Sequence, residues 1–173
     1  MINLQKTPLD AYACLCIHAK TDDVMKLLMK KLGYDVPNYT VKRKLQVTLD
    51  APHNLVSVAG LDTNGAGFTI CKKVTVKGLG KTATDVNVFD HDKKNQPYRA
   101  SINNTKAFDS FELQLEFFAH YKEPNMNLTV PLDMLADKGS LNFHMEYDLY
   151  QKKWTEVQIR DKEGNQLGQA QYN

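Results

Sequence analysis

Two carboxylates two positions apart, Asp90 and Asp92, are the residues of this chain best suited to chemistry. They follow the apolar run Val86-Asn87-Val88-Phe89, and carboxylates at i and i+2 in a loop after a strand can both turn toward a hard cation such as calcium. Solvated turn residues are the plain alternative for the pair. A second group, Lys72, Lys73, Lys77 and Lys81, has the charge to hold an anionic ligand. Aromatic residues interleave poorly with these lysines, only Phe68 being close, so nucleic acid is a poor fit. A charged strand edge that resists aggregation explains them equally well.

Other reactive residues have weaker patterns. Gly78-Leu79-Gly80-Lys81-Thr82 ends like a phosphate-binding loop, but the glycine required five positions before Gly80 is Thr75. The following segment reads as a strand, so no helix N-terminus faces the phosphates and a hairpin turn is the better reading. Cys14, Cys16 and His18 alternate and could project to one face as metal ligands, with Cys71 as a fourth. No paired C-x-x-C supports that, and reduced, mostly buried thiols are expected instead. The histidines His18, His53, His91, His120 and His144 are scattered, and none lies in a local catalytic signature. An enzyme with dispersed catalytic residues is thus the third reading of the chain, since a triad drawn from distant positions leaves no local trace.

The run from Val86 to Asp90 with Asp92 resembles the aspartate-bearing loop of C2-type calcium- and lipid-binding domains. Lys44-Leu45-Gln46-Val47-Thr48-Leu49 followed by Asn54-Leu55 is similar to the opening strand of that family. The resemblance implies a β-sandwich in which Asp90 and Asp92, helped by Asp50 or Asp62, hold calcium beside an anionic membrane surface. Lys72, Lys73, Lys77 and Lys81 would then contact phosphates. The family's Asp-Pro-Tyr after the first loop is absent, and long strands follow the aspartate loop where that family is nearly complete.

The elements that must carry these residues are mostly strands. Tyr39, Val41, Leu45, Val47 and Leu49 alternate with polar residues through Leu49, with Arg43 the one break in the apolar face. Phe111, Leu113, Leu115, Phe117, Ala119 and Tyr121 give the cleanest inward face. Further strands are expected at 55–59, 68–76, 85–89, 98–102, 141–150, 154–160 and 166–172, separated by Gly, Pro, Asn and Asp turns. Residues 11–19 are apolar on both faces, as in a central strand covered on two sides. Asp22 and Asp23, the spacing of Val24, Leu27, Leu28 and Leu32, and the stop at Gly33 predict a helix over about 22–32. Pro131 to Asp137 before Gly139 reads as one helical turn or two. The fold expected is a mainly β, antiparallel β-sandwich or barrel-like domain, 1–173, with one short N-terminal α-helix.

At 173 residues the chain can bury a core without staples, and 42% hydrophobic with 24% charged residues argues against disorder. A net charge of +2 is too small to imply nucleic acid, but its distribution is uneven. Lys20 to Lys81 carries a surplus of six positive charges and Ala107 to Tyr150 a surplus of six negative ones. No signal peptide or long apolar span stands out, so a soluble, cytoplasmic protein is expected. These features favour a non-enzymatic β-sandwich module working by protein–protein contact, with a partner or with copies of itself. No cofactor is expected under that reading; the alternative is a calcium-dependent or anionic-lipid-binding module.

Overall fold

The computed structural model describes residues 1–35, 39–78, 86–90, 97–101 and 109–173. Lys81, His91, Asp92 and most of the Gly78–Thr82 turn therefore lie outside the described residues. Although the sequence shows no linker, the chain falls into two compact units, Met1–Asn38 and Tyr39–Asn173.

The second unit is the β-sandwich that the alternating pattern predicts. Its strands are β1 (Thr40–Asp50), β2 (Leu55–Leu61), β3 (Cys71–Lys77), β4 (Val86–Asp90), β5 (Tyr98–Ser101), β6 (Ser110–Phe117), β7 (Met126–Pro131), β8 (Ser140–Asp148), β9 (Lys153–Arg160) and β10 (Gln166–Gln169). One antiparallel sheet runs β10-β9-β8-β1-β2-β5 and the other β4-β3-β6-β7. Every second residue of the central strands points between the sheets, where Val41, Leu45 and Val47 of β1 meet Leu141, Phe143 and Met145 of β8 and Leu113, Leu115 and Phe117 of β6. The last residues of the chain link the two sheets at one side. After β10 the chain leaves the six-stranded sheet, and the N–H groups of Asn127 and Thr129 on β7 bond the carbonyls of Asn173 and Gln171, both at 3.0 Å. That crossing ties β7 to the chain end that follows β10.

A second helix, α2 (Leu132–Lys138), joins the sheets. Leu132 and Leu135 are buried on the core, and Gly139 ends the helix at φ 71°, a left-handed conformation that glycine adopts without penalty. The β6 pattern stops short of expectation: the strand ends at Phe117, Ala119 takes φ 55°, and Tyr121 is exposed. A tight turn replaces the last inward positions.

The first unit has helix α1 (Thr21–Lys31), stopped at Gly33 (φ 75°) as the sequence predicts. The central strand expected over 11–19 does not form. Pro8–Tyr12 is a 3-10 turn, and pairing is confined to a parallel bridge between Ile2 and Ile17. Apolar character on two faces led to that expectation, yet no described residue of 1–35 is buried, and Ala13, Cys16, Ile17 and Ala19 are covered only in part. No helix among the described residues is long and apolar enough to cross a membrane.

Candidate functional site

The residues singled out from sequence are dispersed. Asp90 ends β4, in register with Lys73 of β3, and Asp92 is outside the described residues. Of the helper carboxylates, Asp50 Oδ2 lies 2.8 Å from His53 Nδ1, while Asp62 Oδ1 accepts the N–H groups of Asn64 and Ala66, both at 2.8 Å. Among the described residues no group of three or more His, Cys, Asp or Glu is placed to hold a metal. Lys72 and Lys77 are salt-bridged to Glu116 (3.0 Å) and Glu112 (3.7 Å) of β6. A bulge at Lys72, between the Cys71–Phe117 and Lys73–Glu116 pairs, leaves both Cys71 and Val74 facing the core. Lys73 lines a shallow polar cavity of about 300 Å³ on the outer face of the four-stranded sheet.

The thiols do not form the buried set expected. Cys14 is exposed and Cys16 partly buried, its Sγ donating to the Asp10 carbonyl at 3.6 Å. His18 Nε2 sits 3.7 Å from Asp10 Oδ2, and the Thr7 hydroxyl donating to Asp10 Oδ1 at 2.6 Å holds that carboxyl below its ordinary value. Cys71 alone is in the core, where burial pushes its thiol up to about 12.

The opposite charge biases of the early and late stretches meet within one unit. Basic β1 and β3 are neighbours of acidic β8 and β6, giving Lys42–Glu146, Lys72–Glu116 and Lys77–Glu112, while Arg43 reaches Glu123 in the turn after β6. Antiparallel pairing thus offsets the charge that a head-to-tail contact between copies would otherwise use.

Arg43, the break in the apolar face of β1, is explained by a residue that sequence reasoning missed. Glu123 is 4% exposed and takes both Nε (3.1 Å) and Nη2 of Arg43 on Oε1. Its Oε2 accepts the Tyr121 N–H at 2.9 Å, and the guanidinium lies 5.7 Å from the Tyr121 ring centroid. Burial works to raise the Glu123 pKa, but the Tyr121 N–H and the Arg43 guanidinium outweigh it and the carboxyl stays below its usual value. Tyr147 donates to the Lys122 carbonyl and Trp154 Nε1 to that of Pro124, each at 3.1 Å. Together these bonds clamp the turn after β6, with its left-handed Ala119 and Lys122, onto β1, β8 and β9 of the opposite sheet. A lone arginine on an apolar strand face was the only trace of this clasp in the sequence.

Two further surfaces present apolar side chains to solvent. One is a cavity of about 210 Å³ where β1 runs past the end of β2, walled by Leu61, Phe68 and Ile70 and rimmed by Lys42 and Lys44. The other is the first unit itself, which exposes Leu4, Leu9, Tyr12, Leu15, Leu27 and Leu32 among its large apolar side chains.

No family model matches the chain. A short stretch is similar to the NAD-dependent protein deacetylase sirtuin-7: 52% identical over 40 residues in the Homo sapiens and Bos taurus proteins, and 54% over 39 residues in that of Mus musculus. The match covers 22–23% of this chain and 10% of each deacetylase, so the chain spans about a tenth of the length of the curated relatives it matches.

Proposed function

We propose that this chain is a non-enzymatic β-sandwich interaction module whose first unit docks it to a protein body. The observation that carries the reading is that no described residue of 1–35 is buried while the same stretch exposes a run of large apolar side chains. A unit this small seldom holds a core of its own, and exposed apolar surface on this scale marks a contact site. Parallel strands are characteristically covered on both faces, and here the Ile17 N–H bonds the Met1 carbonyl (2.9 Å) and the Asn3 N–H the Ile17 carbonyl (3.1 Å) while Ile2 and Ile17 are only partly buried.

The likeness to sirtuin-7 suggests which kind of body. The matched stretch of 39 or 40 residues is close in size to the first unit, Met1–Asn38. We take the two to be the same, so that the body is of NAD-dependent protein deacetylase type and the sandwich adds a binding surface beside it. The test is complementation. Human sirtuin-7 lacking its matching stretch should form a complex with this chain on size-exclusion chromatography, whereas intact sirtuin-7, its own stretch in place, should not. Absence of a complex with the shortened protein, or loss of none of the binding in Leu27→Asp/Leu32→Asp, would refute the docking role. Nicotinamide release by the chain alone from NAD and an acetylated peptide would refute the non-enzymatic reading.

A further inference from the structure

We propose that the notch beside the start of β1, together with the Lys44–His144–Arg160 patch next to it, docks an acidic peptide segment bearing one large apolar side chain. The inference goes beyond the docking role of residues 1–35 and stands on the second unit alone.

The notch exists because of strand register. Lys44 and Leu61 are the last pair of β1 with β2, yet β1 continues to Thr40, paired on its other side with Asp148 of β8. Over the last residues of β2 the chain folds back, with Phe68 donating to the Gly60 carbonyl at 2.9 Å, and Lys42, Arg43 and Lys44 of β1 border an open gap. The gap of about 210 Å³ falls below the roughly 300–1,000 Å³ of sites that engulf a whole small molecule, and suits a single side chain. Leu61 and Ile70 wall it, and Phe68, 54% exposed, forms its lip.

The charge beside the notch selects the flanking residues. Lys42 is taken up by Glu146 at 3.2 Å and Arg43 by Glu123. Among the described residues Lys44 Nζ donates to the Thr63 carbonyl (3.1 Å), and Arg160 to Gln158 Oε1 (2.7 Å) and the Gly164 carbonyl. Among the described residues neither has a carboxylate within 4.0 Å. Glu156, on the same face, accepts from Gln158 at 2.7 Å, and Asp62 is turned into its own loop. His144 lies opposite Lys44 on β1 and Gln158 on β9, with Glu146 two residues along its strand. Burial, with Arg160, Lys44 and Lys42 nearby, keeps its imidazole below the ordinary value. A carboxylate bound here would reverse that, so His144 should gain a proton as the peptide docks. Two uncompensated cations and one exposed ring are too few to track a nucleic-acid backbone, which needs a longer basic groove.

The test uses the full chain, labelled with ¹⁵N, and the probe Ac-EDFDE-NH₂, with Ac-EDGDE-NH₂, Ac-KKFKK-NH₂ and single-stranded oligothymidine as comparisons. The expected result is amide shifts at Lys42, Lys44, Leu61 and Phe68 with the first probe only, and a rise in the His144 pKa. Lys44→Ala should weaken that binding about fivefold, the size of one well-placed exposed charge contact, and Phe68→Ala should remove the preference for the phenylalanine probe. Both side chains reach solvent, and Trp154 fluorescence checks that each variant folds. No shift at these residues up to about 5 mM probe, where a Kd of 1 mM would show, overturns the proposal. So does equal binding of the glycine probe, tighter binding of the oligonucleotide, or concentration-dependent shifts at the same residues without any probe, which would make a second copy the occupant.

Discussion

Replacing Glu123 by Gln is the sharpest probe of what joins the two sheets. The change is nearly isosteric and keeps an acceptor for the Tyr121 N–H, but it leaves the Arg43 guanidinium, whose side chain is 17% exposed, without its counter-charge. Breaking one side of a buried pair costs about 3–5 kcal/mol, and the part of Arg43 that reaches solvent places this variant near about 3 kcal/mol. For a unit the size of Tyr39–Asn173 that is a fall in Tm of roughly 12 °C, at about 4 °C per kcal/mol. Trp154, the single tryptophan, bonds the Pro124 carbonyl one residue past Glu123, so its fluorescence in a urea titration reads the clasp directly. Arg43→Met/Glu123→Leu removes both charges and should recover most of the loss, because well-packed apolar pairs match or exceed buried ion pairs. Since the Glu123 carboxyl is held below its unfolded value, its contribution is present above about pH 4.5 and is lost as pH falls through the lower folded pKa. The Gln variant should therefore lose the corresponding part of the acid sensitivity. A Glu123→Gln protein within about 1 kcal/mol of the parent, or a double variant no more stable than the single one, would refute the clasp.

Other consequences are simpler. Gly60→Ala places a Cβ 2.2 Å from the Phe68 carbonyl oxygen and 2.9 Å from Ile70 Cγ1, so the fold-back must shift, at a cost of about 1–3 kcal/mol in a thermal melt. Leu135→Ala empties a wholly buried position under α2 and should lose about 2–5 kcal/mol in urea unfolding without changing the slope. Cys14 should react with a thiol reagent at pH 8 in the folded chain, whereas Cys71, with its thiol raised to about 12, should react only after denaturation.

The sandwich was legible because its signal is local: alternation over β1, β6 and β8 states which side chains are buried, and each strand needs only its own residues to say so. What the pattern cannot carry is the partner across the sheet. Lys42, Lys72 and Lys77 read as free charge until β8 and β6 are laid beside β1 and β3. Glu123 looks like any loop acid until the turn after β6 is folded onto Arg43, eighty positions earlier. Residues 11–19 failed for the opposite reason: apolar character on both faces was read as a covered central strand, and the stretch instead forms a 3-10 turn and one bridge with no buried residue. For Asp90 and Asp92, pairing places the first at the end of β4 and the second lies outside the described residues.

Arg43 serves two structures at once, and that coupling can be tested. Its guanidinium holds the Glu123 turn from inside the sandwich, and the residue also lines the notch beside the start of β1. Leu135 lies on α2, whose end meets the far end of β1 where the Leu49 N–H bonds the Gly139 carbonyl, about 20 Å along β1 from Arg43 at 3.3 Å per residue. Glu123→Gln and Leu135→Ala should cost comparable stability, yet only the first frees a wall of the notch. At a temperature where both variants are folded, Ac-EDFDE-NH₂ should bind the Leu135→Ala protein as it binds the parent and the Glu123→Gln protein several-fold more weakly. Equal weakening in the two would tie affinity to overall stability and break the link between clasp and notch, because sites this far apart with no shared partner should act independently.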